Sequence, residues 1–128
     1  MILDTSFIID LLQNNVSAIS KAQELDKSNM PILLTTITIF ELWQGTDLKD
    51  KKKEERVKNI LERFALVFLD FEGARLAGII YKDLSTKGQI IEPEDCMIAG
   101  ITLSRNEILI TRNKKHFSRI PELKIENY

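Results

Sequence analysis

MILDTSFIIDLL, residues 1–12, carries one carboxylate, Asp4, between two apolar runs. The first run is continuously apolar, which is typical of a short strand that is buried on both faces of a parallel sheet. The second run, FIIDLL, predicts a helix that Asp4, Thr5 or Ser6 can cap. A buried strand that leads directly into a helix indicates an α/β fold, and it places Asp4 at the carboxyl end of the strand.

The remainder of the chain alternates the same two patterns. Further strands are predicted at residues 31–35 (PILLT), 65–70 (ALVFLD) and 107–111 (EILIT), with a short edge strand at 123–127 (LKIEN). Further helices are predicted at residues 16–28, 36–45, 48–64, 72–88 and 93–105. In the helix at 16–28, the apolar spacing predicts that four side chains face inward: Val16, Ile19, Ala22 and Leu25. The alternation predicts three layers, with a mostly parallel central sheet of four to five strands flanked by helices.

Composition limits the chemistry that the chain can perform. Its 128 residues are enough for one domain, residues 1–128, with a hydrophobic core. Eighteen basic and nineteen acidic residues leave a net charge of −1, so no overall positive field indicates nucleic-acid binding. A single histidine and a single cysteine exclude a Cys/His zinc cluster and a two-histidine acid–base mechanism, whereas carboxylates are plentiful.

The sequence also predicts the cellular compartment. Cys96 is the only cysteine, so no intramolecular disulfide can form, which is typical of a reducing environment. The first residues lack the basic and apolar regions of a signal peptide, and no apolar run reaches the length of a membrane span. We therefore expect a cytoplasmic protein that has no membrane partner.

Three acids occupy positions where an acid is unusual. Asp4 follows the first strand, and ligands of parallel sheets bind beyond the carboxyl ends of the strands. Glu41 interrupts an otherwise apolar helix, and Asp95 lies in the first turn of the helix that begins at Pro93. Each acid also has an ordinary interpretation: Asp4 as a helix cap, Glu41 as a solvated side chain, and Asp95 as a partner of the helix dipole.

Taken together, the three acids predict a pocket at the carboxyl edge of the sheet. Asp10, nearly two helical turns beyond Asp4, has no comparable company in the sequence and is left out of this group. Converging carboxylates repel one another and raise each other's pKa unless a cation neutralises them. Mg²⁺ or Mn²⁺ suits such oxygen ligands, and the chemistry that best matches a carboxylate-bound ion of this kind is phosphodiester hydrolysis.

Four motifs in the same order resemble the PIN domain, and most closely its small VapC-type toxins. The motifs are ILDTSFIIDLL, ELWQG, PEDCMIAGITL and ILITRNKKHFSRIPELKIENY, and the resemblance covers essentially the whole chain. It implies a three-layer PIN-like fold and an Mg²⁺-dependent endoribonuclease, with Mn²⁺ as a possible substitute. It also implies the toxin role in a type II toxin–antitoxin pair. The catalytic and metal-binding acids of the family fall on Asp4, Glu41 and Asp95.

The resemblance extends to the residues around these acids. Thr111 and Asn113 match family positions that could orient water or phosphate through their hydroxyl and amide groups. The family's fourth acid is replaced by His116, which removes a negative charge and leaves a metal-binding, a phosphate-binding and a structural role open. Arg112 is expected to grip RNA. The family pattern further implies a homodimer and an antitoxin that lays a chain segment across the acidic pocket.

Other interpretations remain open from the sequence. The charged run KDKKKEER, residues 49–56, is most simply a solvated helix face, and a clamp on the RNA backbone is the alternative. A second function is a non-catalytic or weakly active RNA-binding domain, which the missing fourth acid would favour. A third is a signalling module that is phosphorylated on Asp70, at the end of a predicted strand.

Overall fold

A computed structural model describes residues 1–128, and strands and helices alternate along the chain. The strands are β1 (Ile2–Leu3), β2 (Leu33–Thr35), β3 (Ala65–Val67), β4 (Ile108–Ile110) and β5 (Lys124–Glu126). The helices are α1 (Thr5–Leu12), α2 (Val16–Lys27), α3 (Thr36–Gln44), α4 (Lys51–Leu61), α5 (Phe71–Thr86), α6 (Pro93–Ser104) and α7 (Lys114–Phe117). Of these elements, only the short helix α7 was not predicted.

The five strands form one sheet in the order β3-β2-β1-β4-β5, and every neighbouring pair is parallel. This confirms the predicted parallel sheet. In β1, Ile2 pairs with Leu33 of β2 on one side and with Leu109 of β4 on the other. The chain therefore adds β2 and β3 on one side of β1 and then β4 and β5 on the other side. Such a reversal opens a crevice at the carboxyl ends of β1 and β4, and ligands bind in this kind of crevice in parallel α/β sheets.

The sheet separates two hydrophobic cores, because alternate side chains of each strand point to opposite faces. Ile2 and Leu109 belong to the core that packs against α5 and α6. Leu3 and Ile110, the next residue of each strand, belong to the core that packs against α1, α2, α3 and α4. The three-layer arrangement is therefore confirmed. None of the helices combines the length and the apolar character needed to cross a membrane.

Helix α2 faces the core differently from the prediction. Val16 is 82% exposed and Ile19 is 37% exposed, whereas Lys21 is buried. The prediction was wrong for Val16 and Ile19 because it assigned the buried face by apolarity alone. The Lys21 ammonium forms ion pairs with Glu126 of β5 and with Glu24 (2.8 Å), and these contacts compensate for its burial.

Candidate active site

Asp4 lies at the carboxyl end of β1, beside the point where the strand order reverses. Its side chain is almost fully buried, with 3% of its surface exposed. Although Asp4 occupies the position before α1, its carboxylate accepts no hydrogen bond from the backbone of that helix. Oδ2 instead accepts hydrogen bonds from the hydroxyls of Thr111 (2.7 Å) and Ser6 (2.6 Å). Asp4 therefore stands at the N-cap position of α1, but its side chain is not used as the cap.

The loop after β4 holds Asp4 from the neighbouring strand. Thr111 is fully buried, and its hydroxyl donates to Asp4 while it accepts from the backbone nitrogen of Asn113 (2.9 Å). The Asp4 nitrogen in turn donates to the Ile110 carbonyl (2.9 Å). Because β1 and β4 are adjacent, the ends of the two strands are fastened together at this loop.

Glu41 approaches the same edge from α3. That helix begins directly after β2, where the Thr35 hydroxyl caps it by accepting from the Thr38 nitrogen (3.0 Å). Partial burial raises the pKa of Glu41 to about 7, and the charges of Asp4 and Asp95 raise it as well. A hydrogen bond donated by the Thr5 hydroxyl to Oε2 opposes that rise.

Asp95 comes from the first turn of α6, which Pro93 opens. Partial burial raises its pKa, a hydrogen bond with His116 lowers it, and the charge of Asp4 raises it. Asp95 Oδ2 lies 3.2 Å from His116 Nδ1, and the same nitrogen lies 2.8 Å from the side-chain nitrogen of Asn113. His116 thus stands beside an acid of the site, at the position where the family pattern has its fourth acid.

The three predicted acids therefore lie near one another at one edge of the sheet: the charge of Asp4 raises the pKa of both Glu41 and Asp95, and the charge of Asp95 raises that of Glu41. Glu94, which was not among the predicted site acids, is half-buried, and its charge also raises the pKa of Glu41. No three His, Cys, Asp or Glu side chains lie close enough together to enclose a metal ion. Mg²⁺ does not need such an enclosure, because it is usually held by one or two carboxylates and keeps several waters. The donor chemistry of these residues therefore fits Mg²⁺ or Mn²⁺.

A second buried acid, Asp10, was left out of the predicted site and has partners of its own. It is 1% exposed, and it accepts from the Arg112 guanidinium (2.6 Å) and from the Tyr128 hydroxyl (2.9 Å). The Tyr128 ring also meets Phe7 edge-on, with ring centres 4.8 Å apart. These contacts fasten the loop after β4 and the last residue to α1. The signal in the sequence was a carboxylate inside the apolar run FIIDLL.

Asp70 has a structural role that the sequence left open. It lies three residues after the end of β3, and its Oδ1 caps α5 by accepting from the Gly73 nitrogen (2.8 Å). β3 is an edge strand, two positions away from the crevice beside β1. The structure therefore gives the phosphorylation hypothesis no support.

The raised pKa of Glu41 predicts a pH dependence of stability. Its pKa is about 7 in the folded protein and has an ordinary value of 4.5, so the folded state binds more protons between these values. In a chelator, this contribution is fully present below pH 4.5 and is lost as the pH rises through 7. Glu41→Gln should therefore gain stability relative to the wild type across that window, as measured by thermal denaturation. Glu62→Gln, an exposed change just after the end of α4, should follow the wild-type curve, and a Glu41→Gln curve parallel to the wild type would contradict the assignment.

The chain is similar to known proteins over nearly its whole length. The family model of the PIN domain matches residues 1–123. The tRNA(fMet)-specific endonuclease VapC of Salmonella typhimurium is 32% identical, and the alignment covers 98% of this chain and 96% of the relative. Ribonuclease VapC1 of Methanocaldococcus jannaschii is also 32% identical, over all of this chain and 86% of the relative.

Solved structures show the same architecture. The crystal structure of VapBC2 from Rickettsia felis, bound to a DNA fragment from its promoter, superposes with a TM-score of 0.89 at 27% identity. That match covers 99% of this chain and 97% of the other. DNA-bound VapBC from Salmonella typhimurium gives a TM-score of 0.85 at 30% identity, over 98% and 96% of the two chains.

An all-parallel α/β sheet with the buried Asp4 and the half-buried Glu41 and Asp95 at its central crevice defines the class of the protein, and the family model defines it further: the chain belongs to the PIN domain family. Within that family, its relatives are the VapC ribonucleases of toxin–antitoxin systems. The protein is accordingly an enzyme of the nuclease class.

Proposed function

We propose that this VapC-type protein is an Mg²⁺-dependent endoribonuclease, with Mn²⁺ as a possible substitute, and that Asp4, Glu41 and Asp95 are its catalytic and metal-binding acids. The observation that carries the proposal is the Asp4 carboxylate. It is buried at the crevice, caps no helix, and raises the pKa of both other acids. A carboxylate kept in that situation gains most from a nearby cation.

Each part of the proposed site would have its own role in phosphodiester hydrolysis. A bound divalent ion supplies polarisation of the phosphoryl oxygen and a lower pKa for water. Thr111 fixes the direction of the Asp4 carboxylate, so that its other oxygen stays available to a ligand. Glu41 would hold the ion together with Asp4 and Asp95, and its pKa, which is raised to about 7 without an ion, would fall once a cation binds beside it.

The surrounding polar residues are proposed to support the site and to hold RNA. His116 is proposed to orient Asp95 by donating from Nδ1 to its carboxylate, and in the other tautomer the same nitrogen accepts from the Asn113 amide instead. Arg112 is bound to Asp10, yet 59% of its side chain remains exposed and can meet a phosphate. Lys114 and Lys115 are exposed beside it.

We propose two protein partners, a cognate antitoxin and a second copy of this chain. The structural neighbours include VapBC complexes, so we propose a cognate antitoxin that covers the acidic crevice and makes this chain the toxin of a type II pair. We also propose a homodimer. Its support is an exposed apolar area around the start of α5, where Phe71 is 85% exposed and Phe68 is 63% exposed.

The proposed function is tested by cleavage of a labelled single-stranded RNA by the purified protein. Cleavage is expected in Mg²⁺ or Mn²⁺, is lost on addition of EDTA, and returns with excess Mg²⁺. Titration calorimetry with Mg²⁺ should detect binding that Asp95→Asn weakens. Cleavage that persists in EDTA would overturn the metal dependence. Binding of RNA without cleavage, and without any uptake of Mg²⁺ or Mn²⁺, would favour the non-catalytic alternative.

A further inference from the structure

A groove runs between α1, α3 and α4, and it begins at a residue of the proposed active site. Its volume is about 500 Å³, which is within the range of pockets that hold small ligands. Glu41 lines one part of it, and the apolar side chains of Leu42 and Val57, both buried, lie at its base. The groove therefore continues the acidic crevice along the surface toward α4.

The far wall of the groove is basic. Lys52, Lys53 and Arg56 line it, and none of them forms an ion pair with a carboxylate. The neighbouring lysines of α4 differ, since Lys51 pairs with Glu54 and Lys58 lies 4.0 Å from Glu62. The positive charges that have no acidic partner are therefore on the side of α4 that lines the groove.

Two further contacts define the shape of this wall. The Arg56 guanidinium donates to the carbonyl of Leu12, at the end of α1 (2.6 Å), and so bridges α4 to α1. Asp50 is the acid at the start of α4. Its carboxylate caps that helix by accepting a hydrogen bond from the backbone nitrogen of Lys53. An anion in the groove thus meets Lys52, Lys53 and Arg56 on one side, where three cations outnumber Asp50, and apolar side chains beneath it, with Glu41 at the opposite end.

We propose that this groove binds the single-stranded RNA segment on one side of the scissile phosphate, with Lys52 and Lys53 contacting its phosphates. This inference rests on the proposed function, because Glu41 marks the end of the groove at which cleavage would occur. Apolar side chains at the base suit the faces of unpaired bases, which are exposed in single strands and stacked away in a duplex. The run at residues 49–56 is then more than a solvated helix face.

The experiment measures binding separately from cleavage. The probe is a fluorescent 2′-O-methyl RNA of about ten nucleotides, and its affinity is measured by anisotropy in Ca²⁺ at several salt concentrations. Each phosphate contact in a single strand adds about 0.7 to the slope of log affinity against log salt. The double change Lys52→Gln and Lys53→Gln should therefore weaken binding about tenfold and reduce that slope by about 1.4.

A matched control separates a local contact from a general loss of charge. Lys27→Gln with Lys82→Gln removes the same charge from exposed positions on α2 and α5, outside the groove. This pair should leave the slope near that of the wild type. Equal affinities and slopes for the groove double variant and the control double variant would overturn the proposal. A protein segment would then be the remaining candidate to bind in the groove. Cleavage by the wild type in Mg²⁺ tests the proposed function independently.

A second variant tests the groove without changing charge. Gly45 lines the groove, has an ordinary helical φ of −88°, and has no neighbour closer than 3.6 Å to the position of an added Cβ. Gly45→Phe should therefore fold, place a ring in the groove, and weaken oligonucleotide binding about tenfold with little change in the salt slope. An unchanged affinity in a folded Gly45→Phe protein would also overturn the proposal.

Discussion

Asp4→Asn is expected to reduce the rate of RNA cleavage about 1,000-fold, because it removes the buried charge on which the proposed site is centred. The amide has the same shape as the carboxylate, and its oxygen can still accept from Thr111 and Ser6. The fold should therefore survive, and the loss should appear in kcat rather than in stability. Single-turnover cleavage in saturating Mg²⁺, together with a thermal denaturation curve, provides the measurement.

A control variant at another acid, Asp70, and a measurement of the Glu41 pKa make this test more specific. Asp70→Asn changes an exposed acid that caps α5, and it should leave the cleavage rate within about twofold of the wild type. Because the charge of Asp4 raises the pKa of Glu41, the Asp4→Asn protein should show a lower Glu41 pKa by NMR titration in a chelator. Full activity in Asp4→Asn, or loss of activity in Asp70→Asn, would contradict the assigned site.

Gly100→Ala is expected to lower the free energy of unfolding by about 3 kcal/mol, although it adds only one methyl group. Gly100 lies on α6 where that helix crosses α5. A Cβ there would overlap the carbonyl oxygen of Gly73 and lie 2.8 Å from the Ala77 nitrogen. These are backbone atoms, so the two helices must separate to admit the methyl group. Thermal denaturation should show a Tm lower by about 10 °C.

Gly78→Ala is the control for this change. Gly78 lies within α5, is exposed, and has no atom within 4 Å of the position of an added Cβ. The same chemical change should therefore raise the free energy of unfolding by about 0.5–1 kcal/mol, because alanine favours a helix more than glycine does. Similar stabilities for Gly100→Ala and Gly78→Ala would show that close packing of α5 and α6 is not required.

Two of the proposed active-site acids could be predicted from the sequence because each interrupts a local pattern. Asp4 interrupts a buried strand–helix junction, and Glu41 interrupts an apolar helix. Parallel strands place their carboxyl ends at one edge, so residues that are distant in sequence could be assigned to one region. Only the structure could test whether the Asp4 side chain caps α1, because a capping acid and a metal-binding acid can occupy the same position in a sequence.

The sequence did not predict which buried polar side chains would pair with each other. The face of α2 was predicted wrongly because Lys21 is buried with Glu126, a partner 105 residues further along the chain. Asp10 was set aside for the same reason, since Tyr128, one of its partners, is 118 residues away. The sequence pattern reports how apolar a position is, and it does not report whether a distant group of opposite charge will reach it.

By itself, the sequence predicted the alternation of strands and helices and a mostly parallel sheet, because periodicity within a few residues defines each element, and it marked Asp4, Glu41 and Asp95 as candidate site acids. Only the tertiary structure decided that β1 lies between β2 and β4, that Thr111 holds Asp4 across 107 residues, and that the unpaired cations of α4 line a groove beginning at Glu41. The physical reason is that hydrogen bonds and ion pairs depend on distances of a few ångströms between side chains, and the packing of elements that are remote in sequence sets those distances.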